Sequence, residues 1–271
     1  MAGGRSPTTS RAGSDAVDAM IFAAGEGRRL RPLTDETPKA LIEVAGRPML
    51  ERVARALVAA GADRLIVNAH HHADRVDAWL RESDLGVERV LSREDADSDR
   101  PLETGGGLAL AAHLFRRDAP FFLHNVDILS DLDLAGVYAA HVAGEAEDGR
   151  LATLVVTERP TSRPLLVDDE GVCGRVNLSE GWEVVGRHPR QTRAGPPRRV
   201  GFSGVHVVSP RIFERLKERG TFSIIDTYLR LVGEGETIAI HDASGAEWHD
   251  IGTSERLEAA RRALGAREGA G

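Results

Sequence analysis

AAGEGRRLRPLTDETPK, residues Ala23 to Lys39, is the stretch on which the reading of this chain turns. Before and into it runs Ala19-Met20-Ile21-Phe22-Ala23-Ala24, a short apolar segment bounded by glycine that predicts a buried β-strand. Gly25 and Gly27 free the backbone to turn sharply and to bring amide N–H groups close to a ligand. Consecutive amides in such a turn form a concavity for an anion, with phosphate the usual guest. Arg28, Arg29 and Arg31 on one side and Lys39 on the other add converging cations. A strand, then glycines, then cations predicts a phosphate-binding loop.

The spacing sets this loop apart from better-known ones. Leu30 stands where a dinucleotide fingerprint needs its third glycine, and no Gly-Lys-Ser/Thr closes the stretch as in a Walker loop. Pro32 and Pro38 predict an extended loop that wraps its ligand, with no helix opening at Arg31. All but two of the 35 basic residues are arginine, the exceptions being Lys39 and Lys217. A lysine at this point therefore indicates that a compact ammonium is wanted in place of a planar fork.

At 271 residues, with 41% hydrophobic and 28% charged residues, the chain has the make-up of a globular protein with a substantial core. Its net charge of −7 and the lack of a long basic block argue against a polynucleotide partner. No apolar run approaches the ~18 residues of a membrane span. Met1 to Asp15 is rich in Gly, Ser, Thr and Arg without an apolar core, and reads as a disordered tail, not a secretory signal. Cys173 is the single cysteine and excludes an internal disulfide, which fits a cytoplasmic enzyme; a buried inert thiol is expected there.

Beyond the loop, Pro48 to Ala60 repeats its apolar residues at helical spacing, Leu65-Ile66-Val67 gives a second strand, Ala73 to Leu80 a short helix and Val87 to Leu91 a third strand. Strands alternating with helices imply parallel pairing and right-handed crossovers, hence a doubly wound α/β sheet with ligands at the carboxyl ends of its strands. His70, His71 and His72 point to alternate faces of an extended segment, so packing and helix capping are expected of them, not metal binding. The acidic run Glu94 to Asp99 reads as a solvated loop.

Glu103-Thr104-Gly105-Gly106-Gly107 opens a helix, and its glycines allow either a flat ligand against bare backbone or simple flexibility. Phe121 to Asp127 is a buried strand ending in a carboxylate, a place for a hard-cation ligand or a helix cap, with Asp131 and Asp133 as neighbours competing for the second role. Leu151 to Val156 is a further core strand, and Leu165 to Val172 a hairpin turning at its acidic residues and Gly171. An antiparallel flap beside the main sheet follows, with a mobile basic loop over His188 to Arg199. Val200 to Val208 is a strand broken by glycines, and Ser209 to Arg219 and Ile224 to Val232 are helices. Trp248-His249-Asp250-Ile251-Gly252-Thr253 precedes a last helix from Ser254 to Leu264, which either Asp250 or Thr253 is suited to cap.

Gly25, Gly27, Arg29, Leu30, Pro32, Leu33, Thr34, Pro38, Lys39 and Leu41 fall in order on the pattern (L/I)xAGxGxRLxPLTxxxPKxL. The chain thereby resembles the sugar-1-phosphate nucleotidylyltransferases, and the resemblance runs from about Ala19 to Leu264. LETGGG looks most like the N-acetylmuramate-1-phosphate uridylyltransferases, and the FSG and WxDxGT-like segments around Ser203 and Asp250 belong to the same family pattern.

The resemblance implies a Rossmann-like, GT-A-type α/β fold: a mostly parallel sheet flanked by helices, with a small antiparallel flap in the second half. It also implies one domain over residues 16–265, nucleotide-binding to about 150 and sugar-binding after it. The implied reaction is Mg²⁺-dependent transfer from a nucleoside triphosphate to a sugar 1-phosphate, preferentially UTP with N-acetylmuramate 1-phosphate in cell-wall supply. GTP with mannose 1-phosphate is the runner-up, a silent nucleotide-sugar-binding subunit the rival outside catalysis, and a dehydrogenase is disfavoured by Leu30.

By the same resemblance, Arg29 and Lys39 handle the phosphates, and Asp127 and Asp250 hold the metal. Ala24, Gly25, Gly27, Glu103, Gly105, Gly106 and Gly107 bind the nucleotide, and Asn177, Ser203, Gly204 and Arg163 the sugar. One departure stands out. The Glu-Lys-Pro lysine that many relatives use on the sugar phosphate is replaced by sequence around Arg175-Val176-Asn177, leaving Arg163 or Arg175 to supply that charge.

Overall fold

The computed structural model describes residues 16–94, 100–187 and 196–268. The expected tail at 1–15 lies outside them, as do residues 95–99 of the acidic run and 188–195 of the basic loop; of the described remainder, Glu94 is buried instead of solvated, and Arg198 and Arg199 belong to a strand instead of a loop.

Strand β1 (Asp18–Phe22) leads into the glycine loop, which carries the one-turn helix α1 (Leu33–Glu36) between single 3-10 turns at Arg28–Leu30 and Lys39–Leu41. A tight hairpin follows, β2 (Glu43–Val44) with β3 (Arg47–Pro48), then helix α2 (Met49–Ala59) and strand β4 (Arg64–Ala69). Helix α3 (Ala73–Glu82), strand β5 (Glu88–Arg93) and helix α4 (Glu103–Ala111) continue the alternation. Strand β6 (Phe121–Asn125) is followed after a two-residue turn by β7 (Ile128–Ser130), then by helix α5 (Leu134–Asp148) and strand β8 (Ala152–Thr157). The flap comprises β9 (Leu165–Asp168), β10 (Gly171–Asn177) and β11 (Trp182–Val185). The long β12 (Arg198–Val208) returns to the main sheet, and α6 (Ile212–Arg215), α7 (Ile224–Gly233), β13 (Ile238–Asp242), β14 (Trp248–Asp250) and α8 (Ser254–Glu268) complete the chain.

One ten-stranded sheet runs β11-β10-β9-β12-β6-β1-β4-β5, with β8 also paired to β12 and β13 to β8. Strands β6, β1, β4 and β5 pair in parallel, as alternation with helices demands. The second half differs. Strand β12 runs antiparallel to β6, β8 and β9, so the sheet is parallel in the chain's first half and mixed beyond it. The hairpin at Gly171 is real, with that glycine at φ +107°.

Alternate residues of the central strands feed two cores. Ala19, Ile21, Leu65, Val67 and Phe122 join one, packed with Leu50, Val53 and Leu57 of α2. Met20, Ile66, Phe121, Leu123 and Leu154 join the other, with Ile225 and Tyr228 of α7. Both faces being covered is why these strands read as continuous apolar runs without polar alternation. Asp18, at the start of β1, is buried against Arg116, whose guanidinium donates to it at 2.6 and 2.8 Å. Cys173 is buried, donates to Leu166 O and has its thiol pushed up to about 11 by burial.

Three expectations need correction. Residues 31–36 are not extended, because α1 closes a turn directly after Pro32, which serves as its N-cap. The helix expected over Ser209 to Arg219 is only Ile212–Arg215. His72 occupies the N-cap position of α3 but its side chain caps nothing there; its Nε2 lies 3.2 Å from Asp35 O of α1. Arg75 donates to Glu36 O, so α3 holds α1 and the loop around it in place.

Three histidines are buried between sheet and helices. His124 and His141 are pushed down to about 4 and His206 to about 3, chiefly by burial. His141 is hydrogen-bonded to Thr153 Oγ1 and His206 to the Tyr228 hydroxyl. An unfolded chain takes up these protons near pH 6.5 while the folded one does not, so their contribution is complete above that pH and is lost as pH falls towards 4. At pH 5 a single such group costs about 2 kcal/mol of stability. The urea midpoint should drop between pH 7 and pH 5, and a midpoint that holds level or rises over that interval would contradict the account.

Candidate active site

At the carboxyl ends of β1, β4 and β6 lies a cavity of about 370 Å³, lined by Ala24, Gly25, Lys39, Glu103 and Asp127 among the expected residues. Phe22, Asn68, Pro101, Thr104, Asn125, Val126 and Ser223 complete its wall. In the ladder, Phe22 is in register with Asn68 on one side and Asn125 on the other, so the three form one row across β4, β1 and β6.

Lys39 and Asp127 form an ion pair on this wall, with 10% and 25% of their side chains exposed. By contrast, Lys217 lies on the surface beside Glu234. Gly27, at φ +65°, carries its backbone over the base of the loop. A Cβ there would lie 2.7 Å from Thr34 Cγ2 and 3.2 Å from Lys39 Cβ, and Thr34 Oγ1 donates to Gly27 O at 3.0 Å. The glycine thus lets the loop close onto the residue that carries Lys39.

The loop's arginines do not all converge. Arg28 turns out to Glu26, and Arg31 to Asp35 at 3.2 Å. Arg29 alone turns towards the last marker: its Nη2 lies 2.8 Å, and Asp250 Oδ1 2.9 Å, from where a Cβ on Gly252 would stand. Neither Arg29 nor Asp250 lines the cavity itself.

The backbones that carry the two candidate metal carboxylates are joined by a ladder that sequence periodicity did not reveal. Strand β14 pairs antiparallel with β7, placing Asp250 opposite Ile128, and Ile251 N donates to Asp127 O at 2.8 Å. Asp250 itself pairs with Arg256. Capping, the competing role, falls elsewhere. Asp133 caps α5 by accepting from Gly136 N at 2.9 Å, and Thr253 Oγ1 accepts from Arg256 N in the first turn of α8. Asp131 accepts from Glu247 N at 2.8 Å. Among the described residues no group of three or more His, Cys, Asp or Glu side chains is arranged to hold a metal ion.

The glycine triplet behaves differently from expectation. Gly105, Gly106 and Gly107 are buried inside α4 and do not line the cavity. Gly105 and Gly106 donate their N–H groups to Phe222 O at 3.0 and 3.3 Å, and their bare backbone accommodates the Phe222 ring and Gly220 O. Gly107 packs on the side chain of Asn68. Asn68 Nδ2 donates to Glu94 Oε1 at 2.8 Å, and Leu102 N to Glu94 Oε2 at 2.8 Å. Burial pushes the Glu94 carboxyl up, against the pull of the Leu102 N–H and of His70.

The expected sugar residues scatter. Asn177 is buried, and its Oδ1 accepts from Ser179 N and Glu180 N in the turn before β11. Gly204, at φ +78°, stands behind Asn125, whose Nδ2 a Cβ would meet at 2.8 Å. Ser203 is buried, its carbonyl accepting from Trp248 Nε1 at 3.2 Å. Arg159 lies over the Trp248 ring, 4.1 Å from its centroid, and donates to Phe202 O at 2.8 Å, so β12 and β14 are clamped just beside Asp250. Arg163 is exposed. Arg175 is largely covered and pairs with Asp226 at 3.4 Å; burial pushes its guanidinium down, while Asp226 and Glu103 favour its charge. Of the two candidate replacements for the family lysine, Arg175 is the more covered, and it feels the charge of both Glu103 and Arg163.

Asn68 and Asn125 were missed from sequence. The available signal was the one used for Asp127: a polar residue at the end of an apolar strand on the functional edge.

The family model for nucleotidyl transferases matches residues 18–164. The N-acetylmuramate α-1-phosphate uridylyltransferase of Caulobacter vibrioides is 32% identical over 91% of this chain and 96% of its own. The mannose-1-phosphate guanylyltransferase catalytic subunit β of Drosophila pseudoobscura is 31% identical over 86% of this chain, which spans only 58% of that protein. Among solved structures, the UDP-glucose pyrophosphorylase of Acinetobacter baumannii superposes with a TM-score of 0.73, covering 93% of this chain and 94% of its own at 16% identity, a likeness of fold.

A Gly27→Ala substitution tests the loop geometry. Left-handed backbone and the crowding at Thr34 should together cost about 1–3 kcal/mol of stability, read as a lowered melting temperature. A melting temperature equal to that of the parent would mean the loop does not close as described.

Proposed function

The chain belongs to the nucleotidyl transferase family, and from that premise we propose that it transfers a uridylyl group from UTP to N-acetylmuramate 1-phosphate, with Mg²⁺ as its metal, releasing pyrophosphate. The class of reaction, nucleotidyl transfer to a sugar 1-phosphate, comes with the family. The choice of UTP and N-acetylmuramate is supported by the relative that the chain spans almost end to end. GTP with mannose 1-phosphate is the second reading, supported by a relative of nearly equal identity that is much longer than this chain.

The observation that carries the reaction is the meeting of Lys39 and Asp127 at one cavity wall, with Asp250 and Arg29 one ladder step away. Both substrates are anions and repel one another, so they require fixed positive charge and a geometry that lines an acceptor oxygen up with the α-phosphorus. Two carboxylates on chain segments joined by the Ile251 N–Asp127 O hydrogen bond, with no third side-chain ligand among the described residues, suit a cation that completes its shell from phosphate oxygens and water. Mg²⁺ bound there would supply charge neutralisation for the phosphates.

The chain's own groups do the rest. The Gly25–Gly27 amides and Lys39 hold the triphosphate, and Arg29 steadies the departing pyrophosphate. Arg175 takes the place of the family's sugar-phosphate lysine. An oxygen of the sugar phosphate forms the new bond to the α-phosphorus as the bond to the β-phosphate oxygen breaks, and the electron pair leaves with pyrophosphate. The nucleophile is already an anion, so no general base is needed, and catalysis is alignment plus charge stabilisation. No helix among the described residues is long and apolar enough to cross a membrane. The compartment we propose is the cytoplasm.

Pyrophosphate release from UTP with N-acetylmuramate 1-phosphate and Mg²⁺ is the test. Asp127→Asn and Asp250→Asn should each lower kcat by about 100-fold or more while the protein stays folded, and chelation should abolish turnover. Triphosphate binding without turnover on any sugar phosphate would instead identify a silent binding subunit.

A further inference from the structure

Both candidate metal carboxylates are already paired with a cation of the chain. Asp127 takes the Lys39 ammonium, and Asp250 takes the Arg256 guanidinium through its Oδ2. The two pairs are not alike. Lys39 is 10% exposed and set in the cavity wall. The Arg256 side chain is 55% exposed, and Asp250 is its only partner among the described residues.

Nothing local favours a cation at this place. Helix α8 begins at Ser254, so Arg256 lies in its first turn, with its backbone N–H donated to Thr253 Oγ1. The N–H groups at a helix start favour negative charge and disfavour positive. An ion pair as exposed as this one adds little to stability. Neither helix nor fold accounts for the guanidinium, which leaves the carboxylate it covers.

The surroundings of Asp250 are positive as well. Its Oδ1 faces the gap over Gly252, where a Cβ would lie 2.9 Å from it and 2.8 Å from Arg29 Nη2. Arg159 is close on another side: burial pushes its guanidinium down, Asp250 favours its charge and Arg256 opposes it. Asp127 and Asp250 thus stand among four cations, Lys39, Arg29, Arg159 and Arg256. Such an excess repels a bare divalent cation and attracts an anion.

We propose that Arg256 stands in for the metal at Asp250. It neutralises the carboxylate in the protein alone and opposes a divalent cation that arrives by itself. It yields Oδ2 to one that arrives with the triphosphate, whose oxygens offer the guanidinium a forked acceptor in exchange. Arg256 is therefore a positioning residue that couples metal binding to nucleotide binding. The inference rests on the assignment of Asp127 and Asp250 as metal carboxylates made above.

Mn²⁺ serves as the probe, followed by calorimetry and by its EPR signal on the full chain, first alone and then with UTP. Arg256→Gln keeps most of the side-chain stem and loses the charge. It should bind Mn²⁺ alone about 10-fold more tightly than the parent, a gain that mere loss of a structural contact does not produce. Arg256→Lys, which keeps a cation beside Asp250, should stay within about 3-fold of the parent. UTP should raise the Mn²⁺ affinity of the parent more than that of Arg256→Gln, since the coupling between the two ligands runs through the residue removed. In an Asp250→Asn background, Arg256→Gln should change nothing. Without ligands its melting temperature should lie within about 2 °C of the parent's.

Equal or weaker binding of Mn²⁺ alone by Arg256→Gln overturns the stand-in role, as does a gain that persists in the Asp250→Asn background. Either result leaves the metal carboxylates standing. Binding of Mn²⁺ in the presence of UTP that is indifferent to both Asp127→Asn and Asp250→Asn overturns the metal assignment and this inference with it.

Discussion

The short antiparallel pairing of β7 with β14 is the constraint on which the site depends. It brings Asp250 against the segment that begins at Asp127, across more than a hundred residues of chain, and fastens the two with the Ile251 N–Asp127 O hydrogen bond. Closing so long a loop carries an entropic cost that a pair of three-residue strands does not meet alone. Burial of Ile128, Leu129 and Ile251 in the core packed against α2 contributes the rest. The same core holds Leu30 of the glycine loop, so that loop and the β7–β14 ladder are set by one body of packed side chains.

Around that ladder the charges are arranged in neutral pairs. Lys39 lies on Asp127, Arg256 on Asp250, and Arg175 on Asp226. Partly buried charges without counter-ions would be costly, and pairing them keeps the protein folded without its anionic substrates. Arg159 and Trp248 add a second restraint on the ladder, tying β14 to the bend in β12 at Phe202 and Ser203. Positive charge is thereby held beside the cavity and the ladder.

Glycine does three separate jobs here, and only position tells them apart. Gly27 uses positive φ to fold the loop onto Lys39. Gly105 and Gly106 admit Phe222 and Gly220, and Gly107 makes room for the amide of Asn68. The LETGGG segment thus shapes the cavity through its neighbours: Glu103 and Thr104 reach the wall, while the triplet lies behind it.

Local pattern was enough for the parallel half of the sheet, because β1, β4 and β6 are covered on both faces and so appear as unbroken apolar runs between helices. It was enough, too, to single out Gly25, Lys39 and Asp127, which the fold brings to one cavity at the strands' carboxyl ends. It could not reveal β7 and β14, whose three residues each have no period to detect, nor β13, which is a strand only because β8 lies beside it. Which arginines turn inward, why Asn177 serves a turn and Asn68 the cavity, and which carboxylates end up adjacent were decided in three dimensions. Those outcomes depend on long-range pairing and on which polar groups find partners within a few ångströms, and neither is written in the spacing of residues along the chain.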